Sequence, residues 1–143
     1  MNKKMNIVIV GLGNIGSYFY NYLRKNKKII FNKTNVMPNI LFVSARSFKK
    51  KRNFILPKKI WLKNYLSATK IKDVDIIIEL IGGAEGAAKK LVFESLKNKK
   101  HVITANKALV AKYGDQLSKI AEKNKVNFEF EAAVCGGIPV IRS

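Results

Sequence analysis

Two rhythms alternate along the chain. Residues 6–10 read Asn6-Ile7-Val8-Ile9-Val10, and a continuous β-branched run of this kind suits a parallel strand buried on both faces. Gly11-Leu12-Gly13-Asn14-Ile15-Gly16 follows at once, and residues 17–25 then carry Phe19, Tyr22 and Leu23 at helical spacing. Residues 26–39 are Asn- and Lys-rich with Pro38 near their end, which predicts a helix end and a loop. Residues 40–44 predict a second strand and residues 45–59 a basic loop containing Pro57. A short helix fits residues 61–69, with Leu62, Tyr65 and Leu66 on one face. Residues 75–81, Asp75-Ile76-Ile77-Ile78-Glu79-Leu80-Ile81, form a third apolar run, stopped by Gly82-Gly83. In residues 84–97 Ala88, Val92 and Leu96 recur at i, i+4 and i+8, the mark of a helix face. A strand over 100–104, a helix over 107–123 broken near Gly114, and a last strand over 126–130 complete the reading.

Strands alternating with helices predict an α/β fold of the Rossmann type, a doubly wound and mainly parallel sheet with helices on both faces. The 143 residues fit one domain. The final Val140-Ile141-Arg142-Ser143 supplies no cap or closing element, so the chain is read as a truncated NAD(P)-binding domain, with a further domain expected after residue 143.

Charge sharpens this picture. The formal net charge is +19, and residues 1–72 hold 17 Lys/Arg with no Asp or Glu. Residues 73–143 hold 11 Lys/Arg against 9 acids, a net of +2. A basic half of this kind suits phosphates, nucleic acid or anionic surfaces. The runs Lys49-Lys50-Lys51-Arg52 and Lys27-Lys28 fall in expected loops without the regular aromatic interleaving of a base-stacking platform, so a solvated basic face is favoured over a nucleic-acid interface. No apolar stretch reaches the ~18 to 20 residues of a membrane span. The single Cys135 cannot pair within the chain, which suits a reducing compartment, and a cytoplasmic location is expected.

The glycine segment carries the first chemistry. A GxGxxG alone is a weak signal, but here it follows a strand and opens a helix, the context in which it binds a dinucleotide. Gly11 permits the tight turn, Gly13 the approach of a pyrophosphate, and Gly16 close packing of helix on strand, with the helix N-terminus offering its N–H groups. An acid at the end of the second strand would take the ribose 2′-hydroxyl of NAD. That place reads Ser44-Ala45-Arg46-Ser47. Arg46, aided by Ser47 and Lys49 or Lys50, suits a 2′-phosphate instead, so NADP is expected to be accepted, with NAD as the alternative.

Three further stretches then fall together with GLGNIG: Glu79-Leu80-Ile81-Gly82-Gly83, Thr104-Ala105-Asn106-Lys107-Ala108-Leu109, and Phe130-Glu131-Ala132-Ala133-Val134-Cys135-Gly136-Gly137-Ile138-Pro139. In this order and spacing, over nearly the whole chain, the sequence resembles the nucleotide-binding domain of homoserine dehydrogenase. The resemblance implies reversible interconversion of L-homoserine and L-aspartate 4-semialdehyde with NAD(P), in threonine, methionine and isoleucine biosynthesis. It implies that Gly11, Gly13, Asn14, Ile15 and Gly16 cradle the cofactor, and that Gly82, Gly83, Thr104, Ala105 and Asn106 line its nicotinamide side. It also implies a sodium ion held largely through carbonyls of Glu131, Val134, Gly136 and Ile138, and a homodimer in the full-length protein. Cys135 stands where the family often has Ala, and no role is assigned to its thiol.

Lys107 resembles the family's lysine beside nicotinamide and substrate. At the carboxyl end of a central strand it would point into the ligand crevice, where it would orient the substrate oxygen and shuttle its proton. A second lysine and the carboxylates that hold the substrate amine would come from the further domain. His101, the only histidine, opens its strand at the end of the sheet away from ligands and is read as structural; Trp61 is read as packing. Glu79 is balanced between a hydrogen-bonding role at the site and strand-end packing with a satisfied carboxylate. Two rival functions remain: a nucleotide-sensing Rossmann module without catalysis, which gives no reason for TANKAL or FEAAVxGGIP, and a basic nucleic-acid binder, which predicts steeply salt-dependent affinity for DNA or RNA.

Overall fold

The computed structural model describes residues 3–130 and shows a five-stranded, all-parallel sheet in the order β2-β1-β3-β4-β5. Its strands are β1 (Lys3–Val10), β2 (Val36–Ser44), β3 (Ile76–Glu79), β4 (His101–Thr104) and β5 (Phe128–Glu129). Helices α1 (Asn14–Lys25), α2 (Lys27–Thr34), α3 (Ala87–Lys97) and α4 (Lys107–Asn124) connect them, with short 3-10 turns at Lys58–Ile60 and Tyr65–Lys70. The chain steps outward from β1 to β2, returns past β1 to β3, and continues the other way. The strand order therefore reverses between β1 and β3, which opens a crevice at their carboxyl ends. Among the described residues no helix is long and apolar enough to cross a membrane.

The period-2 alternation of the central strands builds both cores. Ile7, Ile9 and Ile78 face one side, where Tyr20 and Leu23 of α1 cover them together with Leu12 and Val43. Val8, Val10 and Ile77 face the other, against Leu91 of α3 and Ala68. Farther along that side, Val92 and Leu96 of α3 meet Leu109, Leu117 and Ala121 of α4 over Val102. The expected both-face burial of β1 and the helices on both faces of the sheet are thus present.

Three expectations are corrected. Residues 26–39 are not a helix end and loop: α2 occupies Lys27–Thr34, and β2 begins at Val36. The apolar positions of α2, Ile29, Ile30 and Phe31, are contiguous and give little helical periodicity. The helix stops at Asn35 in the left-handed conformation (φ 56°), a position that Asn tolerates well. Pro38 fits inside β2 because this strand lies at the sheet edge, paired along its length with β1 and bridged on its outer side at Val43 by Trp61, so the missing N–H at Pro38 costs no ladder bond on the outer side. The helix expected over 61–69 is the 3-10 turn Tyr65–Lys70, opened by Asn64 Oδ1 accepting from Leu66 N–H. Finally, α4 runs unbroken through Gly114. Leu109 and Leu117 are fully buried on either side of it, and packing worth about 2–5 kcal/mol per leucine outweighs the roughly 1 kcal/mol helix penalty of a glycine.

At the amino-terminal ends of β3 and β4 a buried lysine closes the sheet. Lys100 Nζ donates to the carbonyls of Ile71 (2.7 Å), Val74 (2.7 Å) and Lys72 (3.2 Å). Burial pulls its pKa below the ordinary lysine value, against the opposing attraction of Asp75 and Asp73. Replacing it removes the side-chain donor from all three carbonyls and leaves those of Lys72 and Val74 without one, while Ile71 O keeps the Val74 N–H at 3.2 Å. Lys100→Met is expected to lower the unfolding free energy by about 1–3 kcal/mol, read from the urea midpoint at unchanged m-value.

Candidate cofactor-binding site

Three loops meet at the carboxyl ends of β1, β3 and β4: residues 11–13, 80–86 and 105–106. In the first, Gly11 has φ 105° and donates its N–H to Ser44 O at 2.8 Å. A Cβ on Gly11 would collide with the Leu80 carbonyl, and one on Gly16 with the Gly11 carbonyl. Three backbone segments touch here, an approach that side chains would prevent. Gly13 differs from both: a Cβ there would meet no protein atom within 4 Å, so the space beside it is open to a ligand. Helix α1 starts at this point with no side-chain cap and no acid in its first turn, which leaves its N–H groups and positive dipole end for an outside anion.

A cleft of about 490 Å³ lies against this helix start, lined by Leu12, Gly13, Asn14 and Tyr18 on one side and by Lys50, Lys51 and Arg52 on the other. The basic loop owes its shape to Arg52, whose guanidinium donates to the carbonyls of Ser47 (2.9 Å), Lys50 (3.0 Å) and Phe48 (3.2 Å). Arg46 is exposed two residues beyond β2 and stands outside the cleft lining, whereas Lys50 belongs to it.

The second and third loops are joined by one buried carboxylate. Glu79 closes β3 with no exposed surface. Its Oε1 accepts from the N–H groups of Ile81 (2.6 Å) and Gly82 (3.2 Å), and its Oε2 from the Thr104 hydroxyl (2.5 Å). Thr104 Oγ1 in turn accepts from Asn106 N–H at 3.0 Å. The Asn106 side chain reaches back to the Gly83 carbonyl at 2.6 Å and caps α4 by accepting from Leu109 N–H at 3.1 Å. The Gly82-Gly83 turn and the Thr104-Ala105-Asn106 corner are therefore one hydrogen-bonded unit. Both roles weighed for Glu79 are compatible with this arrangement: the carboxylate is buried and satisfied at the strand end, and its hydrogen bonds reach the turn and the corner beside it.

Lys107 is the first residue of α4, next to that unit, with an exposed side chain. His101 opens β4, where its Nδ1 accepts from Asn127 N–H at 3.0 Å, so the ring ties β4 to the turn before β5, as its structural reading expects. Trp61 packs in the core of the α1 side, edge-on to Phe48 at 5.2 Å. The sodium ligands expected at Glu131, Val134, Gly136 and Ile138, and Cys135 among them, lie outside the described residues. Among the described residues no cluster of three His, Cys, Asp or Glu side chains is placed to hold a metal ion.

Comparison with known proteins agrees with this geometry. The family model described as "Homoserine dehydrogenase, NAD binding domain" matches residues 11–131. The chain is 39% identical to homoserine dehydrogenase of Neisseria gonorrhoeae over 141 residues, covering 99% of this chain and 32% of that protein. It is 36% identical to the Bacillus subtilis enzyme over the same length and shares of the two chains. The crystal structure of Staphylococcus aureus homoserine dehydrogenase at pH 7.5 superposes with a TM-score of 0.85 at 35% identity, over 94% of this chain and 34% of that one. The chain thus spans about a third of the length of the curated relatives it matches.

Removing the Glu79 charge tests the joint between the two loops. In Glu79→Gln one acceptor oxygen becomes an NH2, so either the Thr104 hydroxyl or the Ile81 and Gly82 N–H groups lose their acceptor. Stability is expected to drop by about 1–3 kcal/mol in chemical denaturation, with Thr104→Val similar; a loss below about 0.5 kcal/mol for both would show that the joint carries little.

Proposed function

The chain belongs to the family of homoserine dehydrogenase NAD-binding domains, and from that premise we propose that it is the cofactor-binding part of an enzyme interconverting L-homoserine and L-aspartate 4-semialdehyde. The observation that carries this reading is the open space beside Gly13, set against an uncapped helix start and a basic cleft. A pyrophosphate fits the donors available there: uncapped N–H groups over Gly13, Asn14, Ile15 and Gly16, with lysines across the cleft. Gly82, Gly83, Thr104, Ala105 and Asn106 would line the nicotinamide side. When bound, the cofactor supplies or accepts the hydride.

The chain's own residues do the rest. The glycine turn and the uncapped start of α1 neutralise the pyrophosphate. The Glu79–Thr104–Asn106 unit fixes the two loops on the nicotinamide side, so that little ordering remains at the moment of reaction. Lys107, the exposed first residue of α4, would hold the substrate oxygen and take or return its proton. Arg46, with Lys49 or Lys50, would set preference for a 2′-phosphate, hence NADP over NAD. A second domain, following residue 143, would complete the substrate site and form the homodimer, and the carbonyls of Glu131, Val134, Gly136 and Ile138 would be the ligands of a sodium ion. A cytoplasmic location suits an enzyme that draws on the cell's nicotinamide pool.

Kinetics of the full-length protein test this reading. Lys107→Ala is expected to lower kcat for homoserine oxidation roughly 100-fold or more, with the cofactor KM little changed; near-normal turnover would remove Lys107 from the chemistry. Arg46→Ala is expected to weaken NADP binding about tenfold while sparing NAD, the scale of one charge-assisted hydrogen bond. Unchanged NADP affinity would transfer the 2′-phosphate role to the lysines lining the cleft.

A further inference from the structure

The loop between Glu79 and α3 has little shape of its own. Gly82, Gly83 and Gly86 all hold positive φ, at 88°, 79° and 70°, and glycine adopts that region about as readily as its mirror image. The loop's first half is fixed by Glu79 and Asn106. Its second half is tied down by Glu85. Glu85 Oε1 accepts from Lys112 Nζ at 2.6 Å and from the Tyr113 hydroxyl, and Oε2 accepts from Lys89 Nζ at 3.2 Å. Lys89 also donates to the Tyr113 hydroxyl at 2.8 Å and lies 4.2 Å from that ring's centroid. Phe93 of α3 meets the Tyr113 ring edge-on at 5.9 Å, so the tyrosine is seated before Glu85 reaches it.

We propose that Glu85 is a positioning residue: gripped by Lys89, Lys112 and Tyr113, it holds residues 82–86 in the single conformation that forms the nicotinamide wall of the cofactor site. The inference rests on the cofactor reading given above and extends it to a residue on the outer side of the loop. Two contacts bridge 27 and 28 residues of sequence, so the cluster joins the loop to a different helix rather than decorating one helix face. The carboxyl is held at about 2, below its ordinary 4.5, first by the Lys112 hydrogen bond and then by those from Tyr113 and Lys89, so it meets these donors ionised at neutral pH.

Exposure decides what the cluster is for. The side chains of Glu85, Lys112 and Lys89 are 54%, 57% and 37% exposed, and ion pairs in that setting add little to global stability. A loop with three left-handed glycines needs only a small bias to choose one conformation. Loss of the grip should therefore appear in ligand discrimination and not in unfolding.

The test uses the 143-residue chain with two probes, NADPH and 2′-phospho-ADP-ribose, which keeps the pyrophosphate and adenosine ends and lacks the nicotinamide. Glu85→Gln is expected to weaken NADPH roughly fivefold at low salt, leave 2′-phospho-ADP-ribose unchanged, and move the thermal midpoint little. Tyr113→Phe, which removes one donor, should shift the same ratio in the same direction by less. Equal weakening of both probes, or no weakening of either, in variants that fold as wild type would overturn the positioning role while the cofactor reading stands. If the wild-type chain bound neither probe, the cofactor reading itself would fail and take the role of Glu85 with it.

Discussion

A carboxylate without solvent is expensive unless its lone pairs are filled, and Glu79 meets that demand in a way that organises everything around it. Its two oxygens collect two backbone N–H groups from the turn after β3 and a hydroxyl from the end of β4. Two partners belong to the glycine turn, and the third ends β4 where the Thr104-Ala105-Asn106 corner begins. The charge thus converts two strand ends and two loops into one rigid edge. Because Thr104 passes the connection to Asn106, and Asn106 both caps α4 and holds the Gly83 carbonyl, the position of Lys107 is also set by this network.

On the other side of the switch point the constraint is steric. Gly11, Gly16 and Leu80 bring three backbones into contact, which fixes α1 against the sheet and aims its uncapped start at the basic cleft. The two halves of the site therefore rest on different physics. The glycine-turn side depends on the absence of side chains and on N–H groups without a side-chain cap, the Gly82-Gly83 side on a buried carboxylate whose oxygens are hydrogen-bonded. The charge distribution follows the same division: the first 72 residues are wholly cationic, whereas all 9 acids belong to the remainder, where Glu79 and Glu85 act as hubs.

Legibility in the sequence varied with the range of the interaction. The β-branched runs of β1 and β3 announced themselves because both faces are buried, and the face of α3 because burial repeats with the helical period; the face of α1 was legible only in part, since Tyr22 is exposed and Tyr20 enters the core with Leu23 instead. The helix α2 did not, since its three apolar residues are adjacent and its end depends on Asn35 adopting φ 56°. Continuity of α4 through Gly114 was hidden for a related reason: local propensity argues for a break, and only the leucines packed on α3 reverse it. At the site, the glycine turn and Lys107 could be named from spacing and resemblance. Glu79 was visible as an acid ending an apolar strand, but its partners were not. The grip on Glu85 left no signal, because helix α3, strand β4 and the start of α4 separate Lys112 and Tyr113 from it.

The amino-acid sequence by itself determined the element alternation, the glycine contacts at the end of β1, the uneven charge and the family. These are properties of neighbouring residues, or of motifs whose chemistry is local. Tertiary structure alone decided which groups fill the valences of Glu79, that Lys50 to Arg52 and not Arg46 line the cleft, and that Glu85 anchors a glycine loop to α4. Each of those depends on side chains brought together by the parallel crossovers, and hydrogen bonding acts only within about 3 Å, a distance that sequence separation does not encode.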